Sequence, residues 1–437
     1  MTYAAAVQFL YGLQMFGTKF GLENTRKLAA LAGNPQDQLR FIHVAGTNGK
    51  GSVCAMLESI YRACRRDSPG TARSRVGLFT SPHLISFAER IQVNRQLIPQ
   101  ADIVKLVVEI QPCLKQFSAD AHPTFFEVVT VMALKYFAAQ KCDLVIWETG
   151  MGGRLDATNI VTPLASVITN VQRDHEQWLG STLPQIALEK AGIIKSGIPV
   201  ITAAGDAEAI EVITKAAREK DSPLTLVGFA ETKTPPLDTL DLPLPGEHQR
   251  LNAALAIATV RVLAARIPVS ETAIRSGLSA VQWPGRLQQI KTKSGQTILL
   301  DGAHNPSGAI ALRDAIAKHF PGKPFTLILG MLQDKEWTSI CGILAPLSEK
   351  ILIAPVSSNR TAAPEELERA ARKANSGAKI MAMKSLAQAL ETAAQDSFVV
   401  ITGSLYLIGE ALELLRIRNL GAVNERGLNE WGSPGRS

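Results

Sequence analysis

Short apolar runs alternate along this chain with longer stretches in which apolar positions recur every three or four residues. The runs fall at Phe41 to Ala45, Val76 to Phe79, Cys142 to Trp147, Leu164 to Thr169 and Pro199 to Thr202, then near 287–291, 297–300, 325–329, 350–354 and 398–402. Their length and β-branched content predict buried strands. The periodic stretches predict helices near 3–16, 24–32, 50–64, 101–118, 124–140, 183–191 and 246–265, and in the second part near 306–319, 336–346, 364–374, 385–394 and 405–417. Gly12, Gly17 and Gly21 are expected to break the first of these. Strands that alternate with helices read as an α/β protein with mainly parallel sheets. The proline-rich segment from Leu224 to Pro245 reads as a β-excursion with loops, and the change after WPGR, 283–286, marks a second, smaller α/β unit. The Gly/Asn/Ser/Arg-rich end from Asn419 reads as a frayed tail.

At 437 residues and 46% hydrophobic, the chain is long enough for two cores. No apolar run approaches the ~20 residues of a membrane span and nothing at the N-terminus resembles a leader, so a cytoplasmic location is expected. Five cysteines, at 54, 64, 113, 142 and 341, contain no C-x-x-C pair and suit a reducing compartment. The net charge of +7 fits a nucleic-acid binder or an enzyme of polyanionic small substrates equally well. The densest basic cluster, Arg62, Arg65, Arg66, Arg73 and Arg75, straddles a loop with only Tyr61 as an aromatic neighbour, which argues for a solvated helix end rather than a nucleic-acid patch.

Candidate chemistry begins where the first strand ends. In FIHVAGTNGKGS, residues 41–52, three glycines stand within six residues between a strand and a helix. Backbone N–H groups there can turn inward, the helix N-terminus adds partial positive charge, and Lys50 adds a full one, which suits a phosphate. Ser52 offers a hydroxyl to a phosphate oxygen or a magnesium ion. Ser81 follows the second strand, and Glu148 ends the third before a glycine-rich loop, the place of a Walker B type carboxylate. Asn170, Asp174 and His175 follow the fourth, Lys190 sits late in the helix near 183–191, and Asp301, His304 and Asn305 share DGAHNP.

Taken in order, these pieces resemble the folylpolyglutamate synthase/dihydrofolate synthase family, the folate branch of the Mur ligases. The resemblance runs from about Phe9 to Leu415 on GLENTRKL, GNPQDQLRFIHVAGTNGKGS, TSPHL with ERI, TFFE, ETGMGGRLDATN, DHEQWLG, IALEKAGIIK, PGR, DGAHNP and TGSLY. It implies a larger N-terminal P-loop-type ATPase domain, residues 1–285, with a mainly parallel sheet, then a smaller Rossmann-like ligase domain, 286–418, and a flexible tail, 419–437. It further implies that Thr47, Asn48, Gly49, Lys50, Gly51 and Ser52 cradle ATP phosphates, and that Asn252, Arg286 and Asp301 contact the nucleotide across the domain interface. Ser81, Glu148 and His175 match magnesium ligands, with Lys190 joining them once carbamylated. Thr124, Phe125, Phe126 and Glu127 with Leu155, Asp156 and Ala157 match the pteroate pocket, and Gly12 to Gln14 lies near it. His304 beside Asp301 matches a residue of the glutamate or transfer step.

The implied activity is an ATP- and magnesium-dependent ligase that adds L-glutamate to dihydropteroate, to a folate, or to both; with no obvious exposed apolar seam in the sequence, a monomer is the simplest expectation. The residue types suit it: ATP turns an unreactive carboxylate into an acyl phosphate, and Lys50, Arg286 and magnesium offset the negative charge that gathers. A ligase for a cell-wall nucleotide peptide is disfavoured because only 40 residues precede Phe41. A polynucleotide-stimulated motor is suggested by nothing beyond the glycine loop and the charge, and a silent binding module is opposed by the intact Lys50, Glu148, His175 and Asp301. Three departures from the family pattern touch none of the expected metal or phosphate groups and leave the shape of the folate-side loops open: VNRQ, 93–96, lacks a glycine after the asparagine, the loop at 65–75 looks inserted, and GMLQDKEW continues with Glu336 where an aspartate is common.

Overall fold

Every apolar run forms a strand. The computed structural model describes residues 1–17, 19, 21–64, 75–417 and 425–430. In chain order the strands are β1 (Phe41–Ala45), β2 (Val76–Phe79), β3 (Ile91–Val93), β4 (Gln96–Leu97), β5 (Leu144–Glu148), β6 (Ala165–Ile168), β7 (Val200–Thr202), β8 (Leu224–Leu226), β9 (Gln288–Lys291), β10 (Thr297–Leu300), β11 (Thr326–Leu329), β12 (Lys350–Ile353), β13 (Lys379–Ala382) and β14 (Phe398–Thr402). They make two sheets, ordered β4-β3-β2-β5-β1-β6-β7-β8 and β13-β12-β11-β14-β10-β9. The first is parallel from β2 to β8 with an antiparallel hairpin at one edge, and the second is parallel except for β9 against β10.

The two-residue period of a strand divides the side chains between faces. In the first sheet Phe41, Phe79, Val145 and Trp147 meet helices Tyr3–Gly12, Gln100–Leu114 and Phe125–Ala139, and the intervening Ile42, Val44, Leu78 and Ile146 meet helices Lys50–Ala63 and Glu247–Val262. The second sheet repeats the device, with Leu299, Leu327, Ile351 and Val400 on one face and Ile298, Ile328, Leu352 and Val399 on the other. Both sheets are therefore covered on two sides, and ligands are left the carboxyl ends of the strands.

Four local readings change. The first α-helix ends at Gly12, as that glycine's break signal implies, and 13–16, read as its continuation, tighten into a 3-10 turn over Leu13–Phe16. Helices Ala207–Glu219 and Glu271–Ser279 and strand β13 complete the pattern where the sequence reading named no element. The Leu224–Pro245 excursion holds only the three-residue β8 and a short 3-10 turn, because Pro235, Pro236, Pro243 and Pro245 withhold ladder donors. Residues 425–430, read as part of a flexible tail, are packed: Leu428 is fully buried, and Glu425 and Asn429 are nearly so. The rest of 419–437 and Arg65, Arg66 and Arg73 lie outside the described residues, as does most of the loop at 65–75. At its borders Arg62 pairs with Glu58, and Arg75 donates to the Gln140 carbonyl.

The missing glycine of VNRQ is answered by geometry. Asn94 and Arg95 both take left-handed angles, φ 52° and 69°, as the two-residue turn between β3 and β4 requires. Arg95 is held there by the interdomain linker: its guanidinium donates to the Gln282 carbonyl and lies 5.2 Å from the Trp283 ring.

Candidate active site

The carboxyl ends of β1, β2, β5 and β6 face those of β10, β11 and β14 across one cavity of about 390 Å³. Almost every residue singled out in the sequence lines it: Thr47 to Ser52, Ser81, Thr124 to Glu127, Glu148, Leu155 to Ala157, His175, Asn252, Arg286, Asp301 and His304. Lys190 is buried and does not line it.

The glycine loop is built as its residue types require. Gly49 caps the helix Lys50–Ala63 at φ 83°, and a Cβ there would stand 2.6 Å from Asn252 Oδ1. Gly51 carries the Trp283 indole where a Cβ would meet ring atoms at 2.8 Å, so the linker rests on the first turn of this helix. The loop is buttressed by the segment after β6: Thr47 N–H donates to Asn170 O (3.1 Å), Asn48 N–H to Asn170 Oδ1 (2.8 Å), and Thr169 Oγ1 to Asn48 O (2.6 Å). Lys50 Nζ folds over its own loop onto the Gly46 and Thr47 carbonyls, at 3.0 and 3.2 Å. Gln249, which the sequence reading passed over, donates to Ser52 Oγ (3.3 Å) and accepts from Asn252 Nδ2 (3.1 Å), tying two expected nucleotide contacts into one unit.

Glu148 ends β5 buried, accepting the Ser81 N–H at 3.0 Å. Burial pushes its carboxyl up to about 7, against the pull of Lys50. His175 sits in the left-handed region at φ 54°, and burial lowers its ring to about 3, so the imidazole is neutral. Burial, then Lys50, lowers the Lys190 amine to about 7. Among the described residues no group of three or more His, Cys, Asp or Glu stands ready for a metal ion. One carboxylate, one imidazole and a serine make a sparse donor set, which fits a magnesium ion that keeps waters and phosphate oxygens in its shell.

The acceptor-side residues divide by what their atoms already do. Thr124 and Glu127 form a capping box on helix Phe125–Ala139, and Glu127 also accepts from Thr25 Oγ1 at 3.2 Å. Asp156 caps the turn Ala157–Ile160, accepting from Met151 N–H (2.8 Å) and Thr158 N–H (3.0 Å). These three build the pocket, and the Phe125 and Phe126 rings with Leu155 and Ala157 supply its apolar surface. Asp301 is similarly engaged, accepting from Leu287 and Ala303 N–H groups at 2.9 and 3.0 Å and so fixing the linker.

Asp174 joins the two halves. Its Oδ1 receives Lys335 Nζ at 2.7 Å, its Oδ2 receives Asn305 Nδ2 at 3.1 Å, and His304 Nε2 stands 3.7 Å away. Both members of the Asp174–Lys335 pair are 8% exposed. Asn305 also exchanges amide hydrogen bonds with Asn48 at 3.2 and 3.0 Å while capping helix Pro306–His319. Asp174 and Asn305 were visible as strand-end polar residues and Lys335 as part of GMLQDKEW; their meeting across two sheets was not.

Comparison with known proteins follows the same division of the chain. The Mur ligase middle domain family matches residues 44–260, and the Mur ligase, glutamate ligase domain family matches residues 285–405. The dihydrofolate synthase/folylpolyglutamate synthase of Bacillus subtilis is 34% identical over 436 residues, 95% of this chain and 99% of that protein. This chain belongs to the dihydrofolate synthase/folylpolyglutamate synthase family. Members of known structure superpose along nearly the whole length: a Mycobacterium tuberculosis folylpolyglutamate synthase complexed with ADP and AMPPCP (TM-score 0.83, 30% identity, 94% of this chain and 99% of that one) and an Escherichia coli member in complex with DHPP and ADP (TM-score 0.81, 32% identity, 95% and 98%). As a family member with both Mur ligase domains, the chain is an ATP-dependent ligase of small molecules, with magnesium as the general partner of such ATP use. No helix of the described residues is long and apolar enough to cross a membrane.

Proposed function

We propose that this protein joins L-glutamate by an amide bond to dihydropteroate, to the γ-carboxylate of tetrahydrofolate, or to both, with ATP converted to ADP and phosphate. The observation that carries the reading is the single cavity in which a phosphate loop, an aromatic-lined pocket and the Asp174–Lys335–His304 cluster of two domains come together. The two domains are read as residues 1–285 and 286–418, in a cytoplasmic monomer with no nucleic-acid partner.

In this reading Thr47 to Ser52 hold the ATP phosphates, with Gln249 and Asn252 holding the loop in register and Arg286 and Asp301 meeting the nucleotide from the second domain. Ser81, Glu148 and His175 would hold magnesium, which would supply charge neutralisation at the phosphates, and Lys190, buried behind the cavity wall, would join them only once carbamylated. The acceptor lies along Phe125, Phe126, Leu155 and Ala157. Its carboxylate oxygen attacks the γ-phosphorus and ADP departs, leaving an acyl phosphate. The amine of glutamate, having lost its ammonium proton, attacks the acyl carbon; phosphate departs as the amide forms, and the second amine proton leaves with solvent. Lys335 and His304 face the incoming amino acid. Apposition of the two domains excludes water, which would otherwise hydrolyse the acyl phosphate.

The test is phosphate release from ATP with magnesium and L-glutamate, comparing dihydropteroate, tetrahydrofolate and no acceptor, with the amide products identified by mass. Acceptor-dependent release with a matching amide product is expected. Folded protein that binds ATP and releases phosphate with neither acceptor refutes the substrate assignment and leaves a Mur-type ligase of another carboxylate.

A further inference from the structure

Arg90 is a buried cation whose hydrogen-bond partners are all neutral. Its Nε donates to His83 Nδ1 (2.8 Å), its Nη2 donates to Asn429 Oδ1 (2.6 Å), and its guanidinium lies 5.5 Å from the Phe125 ring centre. His83 Nε2 stands 2.8 Å from the Glu425 carbonyl, so that nitrogen carries the proton and Nδ1 is left to accept from Arg90; burial holds the ring neutral. No carboxylate of the described residues forms an ion pair with Arg90, although it is 3% exposed and lines the cavity beside Phe125. Glu148 and Glu89 act on it only through space, so the guanidinium has no carboxylate in contact, faces the cavity and can take an anion there, and its planar fork matches a carboxylate.

The partner that aims it comes from the far end of the chain. Residues 425–430 run between the domains: Glu425 accepts from Ser86 Oγ (2.9 Å) and Phe87 N–H (2.7 Å), and Gln14 Nε2 donates to the Gly427 and Glu430 carbonyls (2.8 and 3.0 Å). From the second domain Tyr406 donates to the Asn429 carbonyl, and Arg360 Nε stands 3.4 Å from Glu430. Asn429 Nδ2 donates to the His83 carbonyl at 2.9 Å, so its Oδ1 can only point at Arg90. Leu428, Asn429 and Glu430 thereby become cavity wall.

We infer that Arg90 is a carboxylate-binding group of the acceptor side of the cavity and that Asn429, delivered by the C-terminal segment, is its positioning residue. The inference rests on the function proposed above, in which two substrates, the acceptor and L-glutamate, each bring a carboxylate.

The experiment compares wild type with Asn429→Ala, which frees the guanidinium, and Asn429→Asp, which places a competing carboxylate beside it. KM is measured separately for acceptor, L-glutamate and ATP in the full chain, alongside thermal unfolding. The KM of one carboxylate substrate is expected to rise roughly tenfold or more in Asn429→Ala, the scale of one charge-assisted hydrogen bond, and further in Asn429→Asp, with the ATP KM unchanged. Which KM moves identifies whose carboxylate is bound. Asn429→Asp keeps an acceptor for Arg90 while losing the donor to the His83 carbonyl, a structural loss that would weigh on all substrates alike, so an Asp variant with wild-type KM values overturns the inference, as does a parallel rise in all three. If Asn429→Ala does not fold, Asn429→Asp alone decides. Wild-type turnover is the control for the parent reading; should it fail, calorimetric binding of dihydropteroate and of L-glutamate to wild type and Asn429→Asp tests the subsite directly, and equal affinities refute it.

Discussion

Removing the Asp174 carboxylate tests whether the two domains work as one site. Asp174→Ala leaves Lys335 8% exposed without its 2.7 Å partner, takes a 3.1 Å acceptor from Asn305, and withdraws the negative charge from His304. Breaking a buried ion pair by truncating one member costs about 3 kcal/mol at the lower end of the usual range, appropriate here because Lys335 retains some access to water. The pair spans two domains, each with its own core, so this energy bears on their apposition more than on the stability of either. Were apposition required for turnover, about 3 kcal/mol corresponds to roughly a hundredfold loss in kcat/KM. The assay is ligation kinetics for Asp174→Ala, Lys335→Ala and the double variant, with thermal unfolding in parallel. A coupling energy of at least ~1 kcal/mol in the cycle is expected, with little change in melting temperature. Additive effects, or a loss of activity that tracks a loss of fold, would refute the reasoning.

Gly49→Ala should lower nucleotide affinity by tenfold or more without unfolding the protein, since the left-handed backbone costs an alanine ~1 kcal/mol and its Cβ would meet Asn252 Oδ1 at 2.6 Å; calorimetry with ATP and circular dichroism check it. Glu148, raised to about 7 by burial, holds a proton in the fold between pH 4.5 and 7 that the unfolded chain has lost, so its contribution to stability falls as pH rises through that window. If Glu148 holds magnesium as proposed, the ion displaces that proton: magnesium-ATP binding in weak buffer should release it below pH 7 and not well above, and Glu148→Gln should abolish the release. Glu425→Ala, which strands the Ser86 hydroxyl and the Phe87 N–H, should destabilise the protein by about 2 kcal/mol in urea unfolding. Labelled bicarbonate should give a carbamate signal in wild type that is absent in Lys190→Ala, because burial lowers this amine to about 7 and so gives it a substantial neutral, reactive fraction near neutral pH.

The strands were legible because each is a continuous apolar run whose alternate residues meet helices on opposite faces, as Phe41 and Ile42 do. β13 escaped because Lys379 and Ala382 are exposed and only Ile380 is fully buried, so no apolar run marks this edge strand. The loop residues were legible as types at a spacing, yet a second duty was not: Glu127, Asp156 and Asp301 read as ligand contacts, and each also accepts backbone N–H groups that hold a cap or the linker in place. Asp174, Lys335 and Asn305 were individually ordinary polar residues, and only the apposition of two sheets makes them a cluster. Residues 425–430 misled for a related reason. ERGLNE has the composition of a frayed end, and its burial depends on contacts with His83, Ser86 and Arg90 more than three hundred positions away.

The linker that crosses between the sheets places the Trp283 indole against Gly51 on one side and the Arg95 guanidinium on the other. An indole in that position is an optical reporter built into the molecule. A nucleotide seated on the loop changes the electric field and the water around the ring, and any swing of the second domain drags it across the helix end. In a variant that keeps Trp283 and replaces the other tryptophans by phenylalanine, emission wavelength would follow occupancy and hinge angle in real time, with no label attached and no turnover needed.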